Sequence, residues 1–130
     1  IFLSKHDPQD ESIMNIIELI VKNAERFPDK SAIVFDDEAL TYRDLVEQVR
    51  KLSYAFSKLG VKRGIFIGLL LNNSIEFVLS MLAAADLGAT IVPMSSSLGQ
   101  KDLLTAINRT GIEFIIGWVG NFTMTREIET

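Results

Sequence analysis

The chain has 130 residues, 48% hydrophobic and 23% charged, with a formal net charge of −4 at pH 7. That length suits one modest domain with a real core, and the acidic balance leaves no basic footprint for nucleic acid. Cysteine is absent, no apolar run reaches the ~18 residues that span a bilayer, and the first residues lack the basic start and apolar core of a signal peptide, so disulfides and thiolate metal sites are excluded and a cytoplasmic location is expected.

Residues 1–12 are polar and mixed and read as an arm. Ile13 to Phe27 carries Ile13, Ile16, Ile17, Ile20, Val21 and Ala24 at helical spacing, which predicts an amphipathic helix capped by Asp10 or Ser12 and stopped by Pro28. Ser31 to Phe35, an acidic turn at Asp36-Asp37-Glu38 and Ala39 to Thr41 predict an antiparallel hairpin. Three adjacent acids invite a cation, but the sequence places no further oxygen ligands there, and a solvated turn accounts for them. Thr41-Tyr42-Arg43-Asp44 matches a capping box. The helix it opens runs to Leu59, with Leu45, Val49, Leu52, Phe56 and Leu59 on one stripe. Its basic residues lie largely off that stripe and read as a solvated face, because no aromatic residues interleave with them.

The centre of the chain is Ile65 to Pro93. Ile65 to Leu71 is an almost unbroken apolar run, the pattern of a strand buried on both faces. Asn72-Asn73-Ser74 breaks it. Ile75, Val78, Leu79, Leu82 and Ala85 then predict a helix ended by Gly88. Phe77 and Met81 make that helix apolar nearly all round, so it should be covered on more than one side. Ala89 to Pro93 reads as the second strand of a βαβ unit. Ser97-Leu98-Gly99-Gln100 matches another capping box, opening a helix to about Arg109. Glu113 to Gly117 is a third buried strand. Trp118 to Thr130 is weakly patterned. The expected fold class is α/β: a layered, mainly parallel sheet with flanking helices and an N-terminal β-hairpin.

Catalytic and binding signatures are sparse. The turn after the central strand lacks the glycines of a dinucleotide fingerprint, and neither a phosphate-binding Gly-Lys-Ser/Thr loop nor a Gly-x-Ser-x-Gly elbow occurs. His6 is the single histidine and sits in the arm, so a Ser-His-Asp arrangement and a multi-histidine metal site are excluded within this chain. Ser95, Ser96 and Ser97 follow a parallel strand at its C-terminal end and precede a helix. Ligands of open α/β sheets bind at that edge, and helix N-termini attract anions. Equally, Ser97 is explained as a cap and Ser95-Ser96 as turn residues.

Taken together and in order, these segments resemble the front end of the adenylate-forming superfamily, which includes acyl- and aryl-CoA ligases, peptide synthetase adenylation domains and luciferases. Ala24-Glu25-Arg26-Phe27-Pro28-Asp29-Lys30-Ser31-Ala32 resembles the family's opening phrase. Leu40-Thr41-Tyr42-Arg43-Asp44-Leu45 is similar to its first core motif, with Asp in place of Glu. Leu59 to Gly64 resembles the turn before the first central strand, and Asn72-Asn73-Ser74-Ile75-Glu76-Phe77 a family Asn-Ser-x-Glu-Phe. Leu82 to Ser95 resembles the second core motif. Where peptide synthetases usually carry Tyr-Val-Pro-Ile-Asp-Pro, this chain has Ile91-Val92-Pro93-Met94-Ser95-Ser96-Ser97, closer to acyl- or aryl-CoA ligases.

The resemblance implies a two-step ligase. A carboxylic acid attacks the α-phosphate of ATP, with Mg, to give an acyl-adenylate and pyrophosphate. The thiol of CoA then displaces AMP. The family's phosphate loop, ribose contact, magnesium residues and catalytic lysine have no counterpart in these residues, so the chain is expected to be an inactive N-terminal structural portion of the enzyme. Residues 1–12 form its arm and 13–130 an incomplete α/β subdomain. The resemblance also implies that Ser95, Ser96 and Ser97 line a pantetheine channel for CoA, and that no catalytic residue, metal site or bound cofactor belongs to this portion. Two alternatives remain: an adenylation domain that loads a carrier protein, and a non-catalytic α/β interaction module. Apolar surfaces left without partners are expected to make the isolated chain self-associate.

Overall fold

A computed structural model describes residues 15–95 and 97–117. Along the chain it contains α1 (Ile16–Arg26), β1 (Ser31–Phe35), β2 (Glu38–Thr41), α2 (Tyr42–Lys58), β3 (Phe66–Leu70), α3 (Ile75–Leu87), β4 (Thr90–Pro93), α4 (Gln100–Thr110) and β5 (Ile112–Gly117). The proposed arm and the stretch after Gly117 lie outside the described residues.

Helix α1 starts later than the apolar spacing suggests. Asn15 is extended, and its side chain accepts the Glu18 amide hydrogen at 2.9 Å. That bond satisfies one of the free N–H groups at the helix start, so Asn15 is the cap rather than Asp10 or Ser12. The β1–β2 hairpin turns through Asp36-Asp37, with Glu38 already paired to Phe35. Asp36 takes a φ of 52°, which Asp tolerates better than most residues. At the start of α2 the Thr41 hydroxyl accepts the Asp44 amide hydrogen at 3.1 Å, half of the expected capping box.

Strands β4, β3 and β5 form a parallel sheet in that order, separate from the hairpin. Side chains on its two faces pack against different helices. Ile67, Ile91, Phe114 and Ile116 join Phe56 of α2 and Ala83 and Ala84 of α3. Leu70, Val92 and Ile115 join Leu103 and Ile107 of α4. Neighbouring residues of a strand point to opposite faces, so α2 and α3 cover one side and α4 the other. Ile112 also sits with α4, although it shares odd-even parity with Phe114. A register irregularity opposite Phe66 and Ile67 accounts for this, since one extra residue turns the side chain to the other face.

Helices α2 and α3 approach closely because small residues line their contact. Ser53 is buried and its hydroxyl donates to the Ala83 carbonyl at 3.5 Å, and Ala83 and Ala84 are fully enclosed. A further cluster of Leu45, Val49, Ile75 and Leu79 receives Ile17 and Ile20 of α1 and Ala32, Ile33 and Leu40 of the hairpin. The hairpin and α1 thus clasp the outer end of the α2–α3 pair.

One member of the expected α2 stripe departs from it. Leu59 is 67% exposed, because the helix has ended and the chain turns at Gly60 with φ 103°. Val61, 4% exposed, fills the core position instead. The charged face of α2 behaves as a solvated surface: Arg43 pairs with Asp29 and Lys51 with Glu47, all well exposed. Helix α3 is covered by the sheet and by α2, as its composition suggests, but Met81 remains 37% exposed.

Candidate functional site

The parallel register fixes where ligands of such a sheet would bind. Leu69 pairs with Pro93 and Leu70 with Gly117, so the three strands end together. Asn72-Asn73-Ser74, Met94-Ser95 and the end of β5 at Gly117 therefore lie at one edge, the C-terminal edge that open α/β sheets use for ligands.

Above β3, Ser74 caps α3. Its hydroxyl accepts the Phe77 amide hydrogen at 3.1 Å and donates to the Asn72 carbonyl at 3.0 Å. The Asn-Asn-Ser turn is thereby locked, and its polar atoms serve the helix start. Gly88 closes the same helix in the left-handed region at φ 76°.

Above β4, the Met94 amide hydrogen bonds the Leu69 carbonyl at 2.9 Å, extending the ladder one residue past Pro93. The chain then turns. The Ser95 and Ser97 hydroxyls lie 2.7 Å apart, the Ser97 amide donates to the Ser95 hydroxyl at 3.2 Å, and the Leu98 amide donates to the Ser95 carbonyl at 3.2 Å. Both serines are exposed at the sheet edge. Ser96 lies outside the described residues.

Ser97 does not cap α4, contrary to the capping-box expectation. The helix begins at Gln100, with Gly99 at its N-cap and no side-chain cap bond. The tight Ser95–Leu98 turn uses up the residues that would have been the first helical turn, and it engages the Ser97 hydroxyl elsewhere. Sequence placed these serines at the correct edge but assigned Ser97 the wrong bond.

A second feature at this edge was not legible from sequence. Between α2, α3 and the end of β5 lies an open groove of about 640 Å³, lined by Leu52, Ala55, Leu71, Leu79, Ser80 and Ile116 among others. Lys51 and Glu76 also line it, so it carries one charge of each sign. Ser80 is only 4% exposed. A serine inside the most apolar helix was the available signal, but only packing shows that it lines a groove.

The turns above β3 and β4 lack the run of glycines that would let backbone amides wrap a triphosphate. Among the described residues no group of three or more His, Cys, Asp or Glu side chains is placed to hold a metal ion. No helix among them is long and apolar enough to cross a membrane.

Comparison with known proteins gives this geometry a context. The profile of the family described as AMP-binding enzyme matches residues 20–129. Bacitracin synthase 3 of Bacillus licheniformis is 32% identical over 109 residues, 84% of this chain and 2% of that protein. The solved N-terminal subdomain of Klebsiella oxytoca NpsA superposes with a TM-score of 0.73 at 26% identity, over 81% of this chain and 28% of that one. O-succinylbenzoate coenzyme A synthetase (MenE) of Bacillus subtilis, solved with AMP, superposes with a TM-score of 0.71 at 21% identity, over 78% and 26% of the two chains, a likeness of fold alone. The chain spans 1% to 4% of the length of the curated relatives it matches.

Proposed function

The chain belongs to the AMP-binding enzyme family, and from that premise we propose that it is the N-terminal structural portion of a ligase that activates a carboxylic acid with Mg-ATP as an acyl-adenylate and passes the acyl group to a thiol. In that enzyme a carboxylate oxygen bonds to the α-phosphorus as pyrophosphate leaves. The thiol sulfur then bonds to the acyl carbon as AMP leaves. We assign no step of this chemistry to residues 15–117. Their contribution is structural: a buried parallel sheet whose C-terminal edge faces the rest of the enzyme, with 13–130 as part of the N-terminal subdomain.

The observation that carries this reading is a coincidence of two likenesses. The family profile spans residues 20–129, and the fold matches a solved adenylation subdomain over 81% of the chain. Motif residues also fall at structural punctuation. Thr41 caps α2, Ser74 caps α3, Gly88 ends α3 and Pro93 ends β4.

For the acceptor, one reading is CoA. It rests on Met94-Ser95-Ser96-Ser97 in place of the Ile-Asp-Pro usual in peptide synthetases, with Ser95, Ser96 and Ser97 lining the path of the pantetheine arm. A second reading is a carrier-protein thiol. It is favoured by the relatives, among them tyrocidine synthase 2 and bacitracin synthase 3, and by the match to an artificially fused NpsA–ThdA adenylation–PCP di-domain. The test uses a polypeptide carrying this sequence with the remainder of such an enzyme. It is given ATP, magnesium and a panel of carboxylic acids, then either CoA or a thiol-bearing carrier protein. A CoA thioester supports the first acceptor, an acylated carrier the second, and absence of carboxylate-dependent AMP formation contradicts the whole reading.

A further inference from the structure

The sheet face that α4 covers has a notch in β3. Gly68 shares parity with Leu70, so a side chain there would point toward α4. Glycine has none, and the Met94 sulfur lies 2.8 Å from where a β-carbon would stand. Met94 packs in one cluster with Leu70 of β3, Ile112, and Leu103 and Ile107 of α4. Its main chain is tied to β3 as well, through the bond from its amide to the Leu69 carbonyl at 2.9 Å. The next residue opens the serine loop, and Gly99 at the N-cap of α4 closes it. One half-buried side chain therefore packs with both elements that bear on the loop's ends. An unbranched thioether is suited to such an irregular gap.

Within the loop the bonds are local. The Ser95 and Ser97 hydroxyls meet each other, and the Ser97 and Leu98 amides donate to Ser95. These bonds set the shape of the turn, but they run within it and do not set where it stands over the sheet. Met94 joins the turn to the sheet by main chain and side chain together.

We propose that Met94, seated against Gly68, is a positioning residue for the acceptor: it holds the Ser95–Leu98 turn at the place over the sheet edge where the pantetheine arm of CoA is received. This role rests on the CoA reading given above, and it adds that acceptor binding is governed through a packed contact beneath the loop. A misplacement of about 1 Å in a positioning element can cost on the order of 10²-fold. Gly68→Ala supplies such a shift from below, since the new methyl displaces the flexible sulfur at little cost in packing.

Titration with CoA tests it in a complete enzyme carrying this sequence, given ATP, magnesium and an accepted carboxylic acid. Met94→Ala and Gly68→Ala should each raise KM for CoA on the order of tenfold and leave the single-turnover rate of adenylate formation within about twofold. Met94→Leu, of similar volume, should stay near wild type. Met81→Ala, at a methionine left 37% exposed on α3, should change neither quantity. Hydrogen exchange of the same proteins reads the loop itself. The Ser97 and Leu98 amides should exchange faster in Met94→Ala and Gly68→Ala, while the Thr90 amide, bonded to the Ile65 carbonyl at 2.8 Å, should not. Unchanged exchange at Ser97 and Leu98 overturns the proposal, because Met94 then does not hold the turn. Faster exchange with an unmoved KM overturns it too and leaves Met94 a packing residue. Equal losses in both half-reactions overturn it in favour of a general effect on stability. A wild type that forms adenylate but no CoA thioester contradicts the CoA reading itself, and the acceptor role of Met94 falls with it.

Discussion

A β-carbon placed on Gly68 would sit 2.8 Å from the Met94 sulfur, with Ile112 side-chain carbons at 3.3 and 3.4 Å on the same space. The bare backbone of β3 is what admits the Met94 side chain, and Met94 is the residue from which the serine loop departs. Gly68→Ala should therefore cost no more than about 1 kcal/mol, because the flexible Met94 thioether can move aside and Ile112 need give only a little. Urea denaturation measures it. Adding Met94→Ala should recover part of the loss, because the crowded atom is gone. Equal instability of the double and single variants would mean that Ile112 is the real obstacle.

The caps of α3 should matter and the supposed cap of α4 should not. Ser74→Ala removes the acceptor for the Phe77 amide and should cost about 1 kcal/mol. Gly88→Ala forces a side chain into the left-handed region, 3.3 Å from the Arg63 β-carbon, and should cost about 1–2 kcal/mol. Ser97→Ala breaks only an exposed turn bond and should fall within about 0.5 kcal/mol of wild type. Thermal or chemical unfolding of the three variants ranks them. A Ser97→Ala loss as large as that of Ser74→Ala would reinstate Ser97 as a helix cap.

These contrasts mark where local pattern suffices. The buried run of β3, the stripe of α2 and the Gly88 stop were legible because each is decided by residues within one or two turns. Three parallel strands followed from the βαβ rhythm. What was not legible depended on competition between neighbours. Ser97 fits a capping box in isolation, but Ser95 takes its hydroxyl first. Leu59 fits the stripe, but the turn at Gly60 comes one residue too soon. Asn15 lay inside an apolar periodicity that hid a good cap. The groove needed α2, α3 and β5 to be placed together, and no spacing rule brings residues 52, 80 and 116 into one wall.

The core makes a sharper demand. Leu69 has no exposed surface at all, and Leu69→Ala should cost about 2–5 kcal/mol through lost burial and the cavity left behind. Val34→Ala, at 69% exposure, should stay within about 0.5 kcal/mol. Denaturant midpoints compared at equal slope test the pair. Similar losses at both sites would mean that β3 is not the packed centre of the domain.

At the serine loop the functional prediction separates two half-reactions. In a complete enzyme carrying this sequence, the CoA reading proposed above predicts that Ser96→Trp slows thioester formation more than adenylate formation, because on that reading bulk there obstructs the thiol arm and not the nucleotide. Single-turnover measurement of each step resolves them. Equal slowing of both would remove the serines from the acceptor path.

Carboxylate-dependent exchange of labelled pyrophosphate into ATP probes the account most directly. It should be present in a polypeptide that joins this sequence to the rest of an adenylate-forming enzyme, and absent from the 130 residues alone. Exchange by the 130 residues unaided, or none from the folded longer polypeptide with any acid offered, would contradict the assignment of this sheet as the scaffold rather than the seat of the chemistry.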